Sequence, residues 1–486
     1  MVEVRLCYYD NVYLKIKTEP GLVREMAEAF TFDVPGAKFT PAYKRGWDGK
    51  IRLLNPLTCL IYTGLLNNII DFCESRNLTH ELDSEFDDVE FSTKNAVEFI
   101  NALSPKYPPR EYQIDAFIHG VNKKRALFLS PTGSGKSLLI YMLMRFYSMK
   151  TLIIVPTVSL VHQLCSDFEE YGLSEKYIHK ISSGADRNTD KNFVISTWQS
   201  VYTLNPEWLK QFDVIIGDEA HGFKSKELVK IMSNAVNCKY RFGLTGTLDG
   251  SFTNELVLQG LFGKIYKTTT TFDLIEQKFL ANLKISAILL QYSPSIRKAL
   301  KGADYPTEMN FLITCKKRNK FISNLALSLK GNTFLLYRNI DHGNEIYDTI
   351  KITMQKAGIT DRNVYIVNGT IDGEEREKIR KLIETEKDAI VVASYGTSST
   401  GINIRNLHNI IFASPSKSRV RNLQSIGRVL RTSENKEITT VYDIADDLSI
   451  KKSKNFTLLH FFERVKIYNE EKFDYKVFNE DLLFEI

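Results

Sequence analysis

From residue 110 onward, short β-branched runs alternate with longer stretches whose apolar positions recur at helical spacing. Runs at 126–129, 151–155, 193–196, 213–216 and 241–244 predict strands, and 137–148 and 158–171 predict amphipathic helices between them. The pattern fades near 279–283 and resumes, with strands expected at 332–337, 364–367, 389–393, 410–413 and 439–442. Such alternation builds a parallel sheet with helices on both faces, so two consecutive α/β domains follow. A small α+β region precedes them and ends at the helix-breaking Ser104-Pro-Lys-Tyr-Pro-Pro109. The expected division is 1–105 as an N-terminal domain, 106–282 and 283–450 as tandem parallel-sheet domains, and 451–486 as a C-terminal helical extension.

Composition narrows the class without naming it. At 486 residues the chain is too long for one core, and 43% hydrophobic with 25% charged residues is ordinary for a globular protein. Fibrous repeats, wholesale disorder and small disulfide scaffolds are excluded. No apolar run approaches the roughly 20 residues of a membrane span, and no signal-peptide core opens the chain. A cytoplasmic protein without a membrane partner is expected. Cys7, Cys59, Cys73, Cys165, Cys238 and Cys315 form no CxxC pair, which predicts reduced thiols rather than a zinc ribbon. The net charge of +6 is divided unevenly: residues 1–105 hold 11 Lys/Arg against 16 Asp/Glu, a net of −5, leaving +11 for the rest. Six acids fall within 81–90, which reads as a solvated loop.

Chemistry concentrates at the ends of expected strands. Strand 126–129 runs into Ser130-Pro-Thr-Gly-Ser-Gly-Lys-Ser137 and then a helix. Glycines allow consecutive N–H groups to curl around phosphate oxygens, and the helix N-terminus favours negative charge. Thr132, Gly133, Ser134 and Gly135 would form that cradle, with Lys136 reaching the β/γ-phosphates and Ser137 holding Mg²⁺. Ser130 stands where the general pattern has glycine. Asp218-Glu219-Ala220-His221 closes another strand; Asp218 would bind Mg²⁺ and Glu219 would orient water, whereas alone such a pair is an ordinary helix cap. Gln424-Ser-Ile-Gly-Arg-Val-Leu-Arg431 puts Arg428 and Arg431 on one helical face, suited to a transferring phosphoryl group or simply to solvent.

Taken in order, these segments resemble superfamily-2 helicases of the DEAH-box type over 110–445, which implies two RecA-like domains. On that resemblance Arg110-Glu-Tyr-Gln113 is the adenine-reading motif, with Gln113 as the main base contact. Pro156, Thr157, Thr197, Trp198 and Gln199 are implied to touch a nucleic-acid strand from domain one, and Arg338 and Thr400 from domain two. His221, Thr245, Thr247 and Gln424 are implied to couple hydrolysis to strand contacts. Gly401 and Asn403 are implied at the nucleotide, Asn403 standing where an acidic residue is common. Over its whole length, including Gly46-Trp-Asp-Gly49 and Ala393-Ser-Tyr-Gly396, the chain resembles phage recombination helicases of the UvsW type. The resemblance implies a monomeric motor using ATP and Mg²⁺ on branched DNA such as R-loops, forks and Holliday junctions. RNA–DNA hybrid, recombination proteins and single-strand-binding proteins are further partners it suggests, and a host cytoplasm is the implied location.

The N-terminal domain admits two readings. Lys44, Arg45, Lys50 and Arg52 around Tyr43 and Trp47 suit phosphates and stacked bases; equally, Trp47 plugs a small hairpin core and the charges are solvated. His119, His162 and His342 are expected to be ordinary core or surface residues. An ATP-driven DNA motor is the reading adopted. The alternatives are an RNA helicase, a double-strand translocase subunit, or a non-hydrolysing scaffold that binds ATP and DNA.

Overall fold

The structure is a computed structural model that describes residues 2–181, 188–371, 373–399, 404, 406–414, 416–430 and 438–482. The chain forms two compact units, Met1–Ser130 with Gly135–Thr269, and Thr270–Ile486 grouped with Pro131–Ser134. The first unit begins with β1 (Val4–Tyr8), β2 (Tyr13–Lys17), the hairpin β3 (Thr31–Asp33) and β4 (Lys50–Arg52), β5 (Leu54–Asn55), β6 (Leu60–Tyr62) and β7 (His80–Leu82). Five of these make a mixed sheet in the order β5-β6-β2-β1-β7, while β3 and β4 pair only with each other. The acidic stretch expected as a loop starts as β7, because pairing beside β1 offers its backbone a ladder and leaves Glu81 exposed.

Then follow β8 (Arg125–Leu129), β9 (Thr151–Val155), β10 (Ile178–Ile181), β11 (Phe193–Thr197), β12 (Val214–Asp218), β13 (Tyr240–Thr245) and β14 (Ile265–Lys267). They form a parallel sheet ordered β10-β11-β9-β12-β13-β8-β14. The interior strands are buried throughout, which explains their continuous apolar, β-branched character. Gly217 of β12 lies in register with Gly243 of β13. A Cβ on Gly217 would come within 2.6 Å of the Phe223 ring, and one on Gly243 within 2.8 Å of Phe262. Two absent side chains thus let two aromatic rings lie against the sheet.

The second unit contains β15 (Asn282–Tyr292), β16 (Thr333–Tyr337), β17 (Val364–Val367), β18 (Ile390–Ser394), β19 (Asn409–Phe412), β20 (Ile438–Asp447) and β21 (Tyr475–Leu482). Its parallel sheet has the order β17-β18-β16-β19-β20-β15-β21. The chain is therefore α/β, two RecA-like parallel-sheet domains after a small α+β region. The sequence pattern misses β10, β14, β15 and β21. In β15 buried and exposed positions alternate near its start, and the paired part of β21 is largely exposed, so neither shows a continuous apolar run. The C-terminal extension expected to be helical is the helix Phe456–Glu470 followed by edge strand β21, paired with β15 from Tyr475 to Leu482.

Two buried ion pairs brace this sheet from opposite faces of β20. Asp446 receives Arg318 through Nε at 2.8 Å and Nη2 at 3.0 Å, and the Tyr292 hydroxyl at 2.7 Å. Asp443 receives Arg464 Nε at 2.8 Å and the Tyr468 hydroxyl at 2.8 Å. Removing one partner strands a charge in the core, so Asp446→Ala should cost about 3–5 kcal/mol. The double change Arg318→Met with Asp446→Leu should recover most of that loss. Urea unfolding midpoints of the three proteins check both statements.

Candidate functional site

The carboxyl ends of the parallel strands bring the expected motifs to one edge of the first sheet. After β8, Gly133 and Gly135 adopt φ of +85° and +81°, a turn that a side chain would strain, and the helix Lys136–Tyr147 starts at once. Lys136 Nζ lies 3.3 Å from the Ser130 carbonyl and so spans the loop, and Ser134 Oγ closes it by donating to the Pro131 carbonyl at 2.7 Å. Gln113 is buried and ties the loop to the helix Glu111–Lys123. Its Oε1 accepts from Arg110 N at 2.8 Å, and its Nε2 donates to the Gly135 carbonyl at 3.2 Å. Gly135 has no alternative here, since a Cβ would strike the Gln113 amide. Arg110 also donates to the Tyr112 hydroxyl at 2.8 Å, and Ser137 Oγ lies 2.9 Å from the Tyr171 hydroxyl.

Asp218 ends β12 with its carboxylate buried. Burial first, and the neighbouring Glu219 second, push its pKa up to about 6, while Lys136 pulls in the other direction. Glu219 follows in the left-handed region at φ +50°, a costly conformation for a residue with a side chain and one found where geometry serves a site. Its Oε2 lies 3.3 Å from His221 Nδ1, which lies 3.1 Å from Thr245 Oγ1. Thr245 Oγ1 in turn donates to the Thr247 carbonyl at 3.0 Å, and the Thr245 carbonyl accepts from Ser130 N at 2.8 Å. One chain of polar contacts thus joins Glu219, His221, Thr245, Thr247 and the phosphate-loop strand. This set fits an Mg²⁺–nucleotide: a positive-φ loop at a helix start, an ammonium across it, and a buried carboxylate short of counter-charge.

Other expected residues occupy varied settings. Thr157 caps the helix Val158–Glu170, with Pro156 half-buried before it. Thr197 is buried at the end of β11, Trp198 is packed against the core, and Gln199 is exposed. In the second unit exposed Arg338 follows β16, with Nη1 at 3.2 Å from the Tyr305 hydroxyl. Gln424 and Arg428 lie on the helix Arg419–Val429, Arg428 in its last turn. Thr400, Gly401, Asn403 and Arg431 lie outside the described residues. His342 is a core residue, its pKa lowered by burial to about 3, and His119 is half-buried against Tyr266.

The N-terminal island is the loop of the β3–β4 hairpin. Thr40 caps the short helix Pro41–Lys44, the Trp47 indole N–H donates to the Lys50 carbonyl at 3.0 Å, and Arg52 pairs with Asp48. Trp47 is half-buried, whereas Lys44, Arg45, Lys50 and Arg52 are exposed. Lys50 and Arg52 line a cleft of about 430 Å³ with Arg24, Glu28 and Thr31. Sequence reasoning missed Arg24, which is one charge on the mixed-charge helix Pro20–Ala29 and joins the others only by packing. It also missed Tyr171 beside Ser137, and Thr268, whose hydroxyl donates to Ser130 Oγ at 3.0 Å.

Three family models match the chain: "Type III restriction enzyme, res subunit" at 106–250, "DNA helicase UvsW, N-terminal" at 3–83 and "Helicase conserved C-terminal domain" at 316–433. The ATP-dependent DNA helicase UvsW of Enterobacteria phage T4 is 35% identical over 503 residues, covering 98% of this chain and 99% of that protein. The chain belongs to the UvsW family of superfamily-2 DNA helicases. The crystal structure of T4 UvsW superposes with a TM-score of 0.51 at 33% identity, covering 99% of this chain and 100% of the other. A putative HsdR-subunit fragment from Vibrio vulnificus YJ016 reaches 0.58 at 14% identity over 100% of this chain and 93% of its own, a likeness of fold alone. The helicase is accordingly an ATP-hydrolysing enzyme. Among its described residues no helix is long and apolar enough to cross a membrane.

The buried Asp218 has a consequence that melting can read. A carboxyl whose folded pKa lies above its unfolded value binds protons more tightly when folded, so its effect on stability becomes more favourable as pH falls through about 6. Nucleotide-free protein should therefore lose less stability between pH 7 and pH 5 than the Asp218→Asn variant, by about 1 kcal/mol. Denaturant titrations of both proteins at the two pH values test this.

Proposed function

We propose that this helicase uses ATP hydrolysis to remodel branched DNA, including R-loops, stalled forks and Holliday junctions, with branch migration as one outcome in recombination, repair and replication. The observation that carries the reading is the basic N-terminal hairpin held in the same compact unit as the first parallel sheet, Lys136 and Asp218. A motor that only tracked a strand has no need of a second basic surface fastened to its ATP-binding domain. The host cytoplasm is the setting this implies.

In this reading residues 132–136 cradle the phosphates, Gln113 and Arg110 face the adenine, and Ser137 with Asp218 would hold Mg²⁺. The bound metal supplies positive charge where the phosphoryl oxygens become more negative. Glu219 orients water and draws on its proton, held in place by the strained turn and by His221. Arg428 and Arg431 neutralise charge on the transferring group, and Gly401 and Asn403 contact the nucleotide. The contact chain from Glu219 through His221 to Thr245 and Thr247 passes the state of the site to the strand-binding residues, with Gln424 serving the second domain likewise. Pro156, Thr157, Thr197, Trp198, Gln199, Arg338 and Thr400 hold the tracked strand.

Lys136→Ala should fold normally, bind DNA without nucleotide, and lose ATP turnover by orders of magnitude, as measured in a DNA-stimulated ATPase assay. Near-normal turnover would refute the assignment. Arg431→Ala should cut turnover about 10³-fold with a much smaller change in nucleotide affinity. Equal losses in both would make Arg431 a ground-state ligand instead. The domain's role is tested by neutralising Lys44, Arg45, Lys50 and Arg52 together. The log–log salt slope for duplex binding should flatten by up to about 3–4, and unwinding of forks and R-loops should fall while single-strand-stimulated ATPase persists. Truncation is unsuitable, because residues of both parts share one core, with Leu65 and Ile69 beside Leu256 and Leu261 in a single cluster.

A further inference from the structure

The most exposed aromatic side chain of the basic hairpin is not its tryptophan. Phe39 ends a one-turn 3₁₀ segment, Ala37–Phe39, and is 89% exposed. A solitary exposed phenylalanine is common on protein surfaces and by itself says nothing. Three further observations make this one different.

The loop around it is tightly built. Val34 N donates to the Gly49 carbonyl at 2.8 Å, closing the loop at its base. Gly49, at φ +79°, lets Ala37 and the Tyr43 ring come close, since a Cβ there would lie 3.0 Å from Ala37 Cβ and 3.4 Å from the ring. Phe39 is thus left outside an ordered loop in which the Tyr43 ring lies near Gly49 and the Trp47 N–H is engaged by Lys50. Next, its neighbours Lys38, Lys44 and Arg45 are exposed cations, a setting that suits a base flanked by phosphates and disfavours an apolar protein partner. Last, the hairpin is rooted on the motor. Phe32 of β3 meets Phe252 edge-on at 5.4 Å, and Thr253 Oγ1 donates to the Asp33 carbonyl at 3.5 Å. Phe252 and Thr253 follow closely on Thr247, the last member of the contact chain that begins at Glu219.

We propose that Phe39 is the side chain that stacks on an unpaired base where duplex opens into single strand, with Lys38, Lys44 and Arg45 meeting the adjoining phosphates. This rests on the reading of the N-terminal domain as the DNA-branch contact and assigns the base contact to Phe39 in place of Trp47. Trp47 has its indole N–H committed to Lys50 and its ring half-buried, so it shapes the loop.

The test uses the full-length protein without nucleotide and measures affinity by anisotropy for a forked DNA and for a single strand of the same length. Phe39→Ala should weaken fork binding about tenfold, within the range expected for one lost stacked base, and leave single-strand binding within about twofold. Phe39→Trp should restore fork binding, because its ring can stack. An unchanged fork affinity in Phe39→Ala, or a loss in Phe39→Trp as severe as in Phe39→Ala, overturns the proposal. The fourfold neutralisation of Lys44, Arg45, Lys50 and Arg52, run alongside, separates the two ideas. If it abolishes the fork preference while Phe39→Ala does not, only the base-stacking proposal falls. If neither variant loses fork preference, the reading of the domain as a DNA contact falls with it.

Discussion

The helix Phe252–Phe262 can lie against the first parallel sheet only because residues 217 and 243 carry no Cβ, and much of the first unit follows from that. The two glycines face the Phe223 and Phe262 rings across adjacent strands. With Phe262 seated, the same helix presents Gly260, and Gly64 of the N-terminal region approaches so closely that a Cβ on it would overlap the Gln259 carbonyl and come within 2.6 Å of the Gly260 carbonyl. Tyr62 completes the contact with its ring against Gly260 and its hydroxyl 3.4 Å from Ser233. Backbone meeting backbone at such distances leaves no room for sliding, and contacts at Asn11 with Val236 and Arg125 fix the orientation further. The other end of the helix receives the β3–β4 hairpin at Phe252. One helix therefore sets where the basic loop stands relative to the first parallel sheet.

The second unit is held by charge where the first is held by shape. Asp443 and Asp446 lie on opposite faces of β20, so Arg464 and Arg318 anchor helices to each side of the sheet. Such pairs add little net stability over apolar packing but penalise every arrangement that separates them. Arg464 also donates to the Ser416 carbonyl at 3.0 Å, and Arg419 pairs with Glu471 at 2.7 Å. Thr439 Oγ1 donates to the Val429 carbonyl at 2.9 Å, near the end of the arginine-bearing helix. The C-terminal helix and β20 thus hold both ends of Arg419–Val429. A tail with no motif of its own belongs structurally to the element that carries Arg428.

The nucleotide-site geometry divides its costs in a comparable manner. Asp218 accepts burial and a raised pKa, and Glu219 accepts a left-handed backbone. Both are unfavourable in the free protein; Glu219 N donates to Asp218 Oδ1 at 2.9 Å, and Glu219 Oε2 meets His221, which in turn contacts Thr245. A buried carboxylate that Lys136 only partly offsets and a strained neighbour form a site that a cationic ligand relieves.

Sequence alone determined the two parallel-sheet domains, their central strands and the order of the motifs. Buried parallel strands require continuous apolar runs, and phosphate binding requires glycine and lysine at local spacing, so each leaves a contiguous trace at residues such as 133–137. Edge strands β14 and β21 left none, because one side faces water and the period blurs. Tertiary structure alone decided what lies far apart in sequence. Arg24 joined Lys50 and Arg52 around a cleft, Tyr171 met Ser137, and Trp47 turned its N–H inward while Phe39 was left facing out. It also made the N-terminal region and the first sheet one body despite the prolines between them. A proline break is a local backbone property, whereas a shared core depends on Gly64 meeting Gly260, two residues nearly two hundred positions apart.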